Sequence, residues 1–124
     1  MNDLSQDCQH STPNCSPPRF TDRELELAAN MCQAMADPSR LRLLLWLQQG
    51  ERCVSELVEL EKAKLSSVSA RLQLLYSARL VTRRREAKHV FYALADAHVR
   101  SLLGNILHHA AEPIADATTE GEAP

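Results

Sequence analysis

At Leu80 the hydrophobic pattern of the chain changes period. Upstream, apolar residues recur every three or four positions, whereas over His89 to Leu94 they alternate, with Val90, Tyr92 and Leu94 set against His89 and Phe91. The first spacing marks helices with one buried stripe, and the second marks a strand with one buried face. The alternating region is only long enough for two strands, Val81 to Glu86 and His89 to Leu94, around Ala87-Lys88. Helical spacing then resumes with Leu102, Leu103, Ile106 and Leu107. A chain that is helical throughout, save for one hairpin before its last helix, has few folds open to it.

The helix boundaries are marked chemically. Thr21 stands three residues before Glu24, a capping-box spacing, and Leu25, Ala28, Cys32 and Met35 then share one face up to about Ala36. Asp37-Pro38 opens a second helix, with Leu41, Leu44, Leu45 and Leu47 as its stripe and Gln49-Gly50 as its stop. A short third helix is predicted from about Cys53 to Leu60, a turn over residues 61–65, and a fourth helix from Ser66 carrying Val68, Leu72 and Leu75. The order is helix, helix, helix–turn–helix, hairpin, helix. This predicts a mainly α (α+β) fold, a winged helix–turn–helix with a two-stranded wing, whose fourth helix is placed to enter a major groove. The expected organisation is a flexible arm over 1–20, one domain over 21–112, and a disordered acidic tail over 113–124. The small core and broad apolar faces of the terminal helices point to a homodimer, with the last helix as its dimerisation element.

Charge gives the partner. The formal net charge is only −2, but residues 64–100 carry eight Lys/Arg against two Asp/Glu, while residues 1–63 and 101–124 are acidic. A basic block inside an acidic chain is the footprint of a nucleic-acid face. Ser66, Ser67, Ser69, Arg71 and Gln73 fall on or near the polar side of the fourth helix, with Arg71 as a candidate reader of guanine. Arg83, Arg84, Arg85 and Lys88 on the hairpin suit phosphates or the minor groove. No run of 18 apolar residues exists, so no membrane span is expected. The N-terminus lacks the apolar core of a secretory leader, and the expected compartment is the cytoplasm. Cysteines there stay reduced, and Cys32, among Ala28, Ala29, Met31 and Met35, reads as a small core residue.

The last helix carries metal-ligating side chains at both ends, Asp96 and His98 at the start and His109 and Glu112 at the finish. The two histidines would lie roughly 16 Å apart along a helix, too far to share an ion. Taken with this pattern, ADPSRLRLLLWL (36–47), ERCVSEL (51–57), LSSVSARLQLLYSARLV (65–81) and HVFYAL (89–94) resemble the ArsR/SmtB family of metal-responsive bacterial repressors. The likeness covers about residues 22–112. It departs from the family at Ala70, where a His is frequent, and at the turn EKAKL and the wing tip Ala87, where Gly is usual.

The resemblance implies a repressor that leaves double-stranded operator DNA, an inverted repeat, when Zn(II) or Co(II) binds at Asp96, His98, His109 and Glu112. Eleven residues separate the histidines, about 20° from a whole number of turns, so they face one way. Two copies paired antiparallel would bring the start of one helix to the end of the other and make two sites per dimer. The resemblance also implies a second, sulfur-rich site for Zn(II), Cd(II) or Pb(II), in which Cys53 and Glu56 meet Cys8, His10 and Cys15 of the arm. A thiol-based redox repressor of the same fold is the alternative. A hydrolase is not expected, because four protein ligands leave no open coordination position.

Overall fold

The computed structural model describes residues 16 and 19–114. Five helices and three strands follow one another: α1 (Asp22–Met35), α2 (Pro38–Gln48), β1 (Arg52–Cys53), α3 (Val54–Glu61), α4 (Leu65–Ser77), β2 (Val81–Glu86), β3 (His89–Leu94) and α5 (Ala97–Ala111). This is a winged helix–turn–helix, mainly α. Most of the expected arm and all but the first two residues of the expected tail lie outside the described residues.

Local chemistry sets the helix starts. Thr21 Oγ1 accepts from the Glu24 amide at 3.1 Å, and Glu24 Oε1 accepts from the Thr21 amide at 2.9 Å. The capping box therefore satisfies two amides that the first turn would leave unpaired. Asp37 caps α2, with Oδ2 accepting from the amides of Ser39 and Arg40, both at 3.1 Å, and from the Ser39 hydroxyl. These bonds, the Ser39 hydroxyl first, hold the Asp37 carboxyl below its ordinary pKa.

The two-stranded wing expected from alternation is one part of a three-stranded antiparallel sheet of order β1-β3-β2. Arg52 pairs with Tyr92 and Cys53 with Phe91. A strand of two residues has no period to read, which is why β1 is invisible as a pattern. Its pairing takes Cys53 out of the third helix, which starts at Val54 with Cys53 as its cap. The recognition helix starts at Leu65, one residue before the sequence places it.

The core gathers Leu43, Leu44 and Leu47 from α2, Leu57 from α3, and Val68, Leu72 and Leu75 from α4. Leu80, Val81, Tyr92 and Leu94 close it from the wing, and Val99 and Leu103 from α5. The acidic side chain of Glu61 is enclosed beside it, 2% exposed, and accepts from Arg42 Nε at 3.1 Å and from Trp46 Nε1 at 2.8 Å. Three expected stripes are corrected, the first in α2, where Leu43 is buried and Leu45 is 38% exposed. In α1 only Ala34 and Met35 are buried, and Cys32 is exposed, not a core residue. The face Leu25–Ala28–Cys32 points away from the protomer's core. In α5 the core face is Val99 and Leu103 with Leu107 behind them, while Leu102 (42%) and Ile106 (44%) stand exposed. Both terminal helices thus turn an apolar stripe to the outside of a single chain.

Candidate metal centre and nucleic-acid interface

Helix α5 is built so that both of its ends present oxygen and nitrogen donors. Asp96 is its N-cap, with Oδ1 accepting from the Val99 amide at 3.0 Å. A carboxylate at this position satisfies an orphan amide and meets the positive end of the helix dipole. The Val99 bond, more than the neighbouring His98, holds the Asp96 carboxyl below its ordinary pKa. Its second oxygen lies 3.7 Å from His98 Nδ1. At the far end, His109 Nδ1 lies 3.5 Å from Glu112 Oε1, an i,i+3 pair across the last turn. His98 and His109 are 97% and 86% exposed, so neither ring is used inside the protomer.

The four residues therefore form two pairs on the open face of one helix. Among the described residues no three metal-ligating side chains come together within the chain. Each pair alone offers one imidazole and one carboxylate, half of a tetrahedral nitrogen/oxygen set. The chemistry of the donors fits a borderline ion such as Zn(II), and two pairs are needed to complete its coordination.

At the other candidate site, Cys53 is half-buried, with Sγ 3.1 Å from Ser55 Oγ. Glu56 is already engaged, accepting from Arg52 Nη1 at 3.1 Å and from the Cys53 amide at 3.3 Å. Cys8, His10 and Cys15 lie outside the described residues. Cys32 and Cys53 are free thiols.

The nucleic-acid candidates divide by what else they touch. On α4, Ser66 and Gln73 are exposed, Ser67 and Ser69 are half-buried, and so is Arg71. Arg71 stands about 60° from the centre of the buried stripe Val68–Leu72–Leu75, on the flank of the helix and not at its outermost line. That line is Ser66, Ala70 and Gln73. On the wing, Arg84 is committed: its Nε and Nη2 reach Glu51 at 2.8 Å each, its Nη1 reaches Glu86 at 2.9 Å, and its guanidinium lies over Phe91. The pairing lowers the pKa of Glu51 and raises that of Arg84. Arg83 stacks on the Tyr76 ring at 4.0 Å, joining the wing to the recognition helix. Arg85 and Lys88 are exposed. Ser69, Gln73, Arg83, Arg84 and Arg85 line one groove between α4 and the wing. Nothing in the spacing of the sequence distinguishes Arg84 from its neighbours, since its partner Glu51 lies 33 residues away.

Comparison with known proteins decides the lineage. The profile of the family described as bacterial regulatory protein, arsR family, matches residues 37–83. A transcriptional repressor SmtB homolog of Synechocystis sp. is 39% identical, over 87% of this chain and 92% of its own length. The chain belongs to the ArsR family. The HTH-type transcriptional repressor SmtB of Mycobacterium tuberculosis is 35% identical over 77% of this chain and 69% of its own. Among solved structures, the homodimeric winged helix–turn–helix DNA-binding domain of Mb0332 from Mycobacterium bovis superposes with a TM-score of 0.72. It is 31% identical and covers 81% of this chain and 93% of its own. The ArsR relatives are transcriptional regulators and not enzymes.

Proposed function

We propose that the protein is a metal-responsive repressor, which as a homodimer binds double-stranded operator DNA and leaves it when Zn(II) or a similar divalent ion is held between its subunits. The observation that carries this reading is the open face of α5. His98, Leu102, Ile106 and His109 follow one another along it, two apolar side chains between two donor pairs. Residue 104 is the midpoint of Leu102 and Ile106, and it is also the midpoint of Asp96 and Glu112. One two-fold axis near that point therefore does two jobs. It sets Leu102 against the partner's Ile106, and it brings the Asp96–His98 pair to the partner's His109 and the partner's Glu112. Burial of the exposed leucine and isoleucine favours the pairing by about 25 cal/mol per Å2 of apolar surface removed.

In the assembled dimer, Asp96 and His98 with the partner's His109 and the partner's Glu112 would hold the ion, twice over by symmetry. The bound ion supplies a charge-neutralising cross-link between the two α5 helices. Asp96 keeps its cap on α5 through Oδ1, leaving Oδ2 free as a donor. Each recognition helix is joined to its own α5 through the protomer, so the angle between the two α5 helices bears on the spacing of the two α4 helices. A two-fold dimer reads an inverted repeat only when that spacing matches successive major grooves. Relatives named as SmtB repressors support the repressor role. Cys53, Glu56, Cys8, His10 and Cys15 remain the proposal for a second site for Zn(II), Cd(II) or Pb(II). The cytoplasm is the compartment such a repressor works in.

Titration of labelled operator DNA with purified protein, with and without zinc, tests the function. Such coupling is usually about 5–150-fold. A zinc-dependent fall in affinity of that order is expected, and equal affinities in both conditions would exclude the metal-responsive reading.

A further inference from the structure

Helix α5 holds on to the rest of its protomer in a specific place. Helix α2 ends with no basic residue in its last turn, so its terminal carbonyls lack a compensating charge of their own. Arg100 of α5 supplies one: its Nη1 donates to the Gln48 carbonyl at 2.6 Å. The Gln48 side chain answers, with Nε2 donating to the Arg100 carbonyl at 3.4 Å. One turn further along α5, a Cβ at Gly104 would stand 3.7 Å from Gln48 Nε2, so α5 is also narrow where Gln48 lies against it. Among the described residues no other side-chain hydrogen bond joins α5 to the remaining elements; Val99 and Leu103 supply apolar packing.

The bracket sits at an informative position. Arg100 is two residues after His98, about 200° around the helix, so the donor pair faces outward while Arg100 faces α2. The C-terminus of α2 is itself built into the reading head. Arg52 Nε donates to the Trp46 carbonyl at 3.2 Å, Arg52 Nη2 donates to Gln49 Oε1 at 2.7 Å, and Arg52 belongs to β1, directly before α3. A rotation or slide of α5 that moves His98 therefore pulls on Gln48, and through the end of α2 on the strand that leads into the helix–turn–helix. Apolar packing tolerates such sliding, whereas a charge-assisted bond to one carbonyl has a defined direction and length.

We propose that the Arg100–Gln48 bracket is the positioning contact that carries the state of the α5 donor pair to the helix–turn–helix. This rests on the metal-responsive reading above. Neither residue is among the donors proposed for the ion or the side chains proposed to meet DNA.

The test uses the full-length dimer with Arg100→Met, which keeps the length and helix preference of the side chain but removes its donors. Three quantities are measured: zinc affinity without DNA, operator affinity without zinc, and operator affinity with zinc. The first two are expected to stay within about threefold of wild type, while the zinc-induced loss of operator affinity shrinks from the 5–150-fold range to about twofold. By reciprocity the weakening of zinc binding by operator DNA should shrink equally. Arg100→Lys, which keeps the cation but not the fork geometry, should fall between the two, and it stands in should Arg100→Met fail to fold. A merely structural arginine would lower thermal stability and leave the coupling ratio unchanged, and that result overturns the proposal. Absence of any zinc response in wild type would overturn the metal-responsive reading first, and this inference with it. A wild-type response that survives intact in Arg100→Met overturns this inference alone.

Discussion

Asp96 divides its carboxylate between two tasks, with Oδ1 capping α5 through the Val99 amide and Oδ2 facing His98 Nδ1 at 3.7 Å. Substitutions separate the two. Asn caps as well as Asp but is a poor metal ligand, so Asp96→Asn should leave the melting temperature near wild type and weaken zinc binding at least tenfold. Asp96→Ala should weaken zinc binding similarly and also lower the melting temperature by a few degrees. Calorimetric melting of metal-free protein alongside zinc titration checks both.

Acid should destabilise the protein through the same kind of group. Asp37 and Glu51 both have lowered pKa values in the folded chain, the first through the Ser39 hydroxyl and the second through Arg84. A carboxyl whose folded pKa lies below its unfolded one adds stability above the unfolded value, about 4, and loses it as pH falls through the folded value. Stability is therefore expected to be level through neutral pH and to decline below about pH 4. Asp37→Asn, which still accepts the cap bonds, should flatten that decline in denaturant melts run across pH.

The wing arginines should not be equivalent. Arg85 is exposed, whereas Arg84 is held by Glu51 and Glu86. Arg85→Gln should weaken operator binding and lower the slope of log affinity against log salt by about 0.9, the share of one phosphate contact. Arg84→Gln should change the slope less and lower the melting temperature, because it releases Glu51 from the wing. Anisotropy titrations over a range of salt concentrations distinguish them.

On the recognition helix, base reading should fall to Gln73 and not to Arg71. Gln73 is exposed, and Gln pairs with adenine through two hydrogen bonds. Gln73→Ala should remove about 1–3 kcal/mol of discrimination at one base step. Arg71→Ala should leave base preference unchanged. Selection of binding sites from a random pool reads this out directly.

Ala87 at the tip of the wing has φ 57, in the left-handed region where a side chain is strained. Ala87→Gly should stabilise the metal-free protein by about 0.5–1 kcal/mol, the left-handed cost to Ala less the extra chain entropy of Gly.

Much of this molecule is legible in its sequence, and the limits are physical. Local information survives well: the capping box at Thr21, the Asp37-Pro38 start and the start of the wing at Val81 all appear where local chemistry puts them. Contacts between distant residues do not survive. The pairing of Cys53 with Phe91 makes a third strand from two residues without a period, and Glu51 neutralises Arg84 from across the sheet. Cys32 and Leu102 look like core residues because an apolar side chain on a helix reads the same whether it faces its own core or a second copy. At the candidate metal centre the spacing of His98 and His109 shows that they share a face, while Asp96 and Glu112 stand at the two caps of the helix. The bracket between Arg100 and Gln48, by contrast, has no signature that a periodicity can reveal.

The intersubunit origin of the site is tested most directly by complementation in a mixed dimer. One chain carries Asp96→Ala with His98→Ala, and the other carries His109→Ala with Glu112→Ala. Each variant alone should bind no zinc at α5. The purified heterodimer contains one site built wholly from intact donors and one built wholly from substituted ones. It should therefore bind one zinc per dimer at these residues, with close to wild-type affinity. A heterodimer that binds no zinc there, although the wild-type dimer does, would show that the four donors do not act across the two-fold axis.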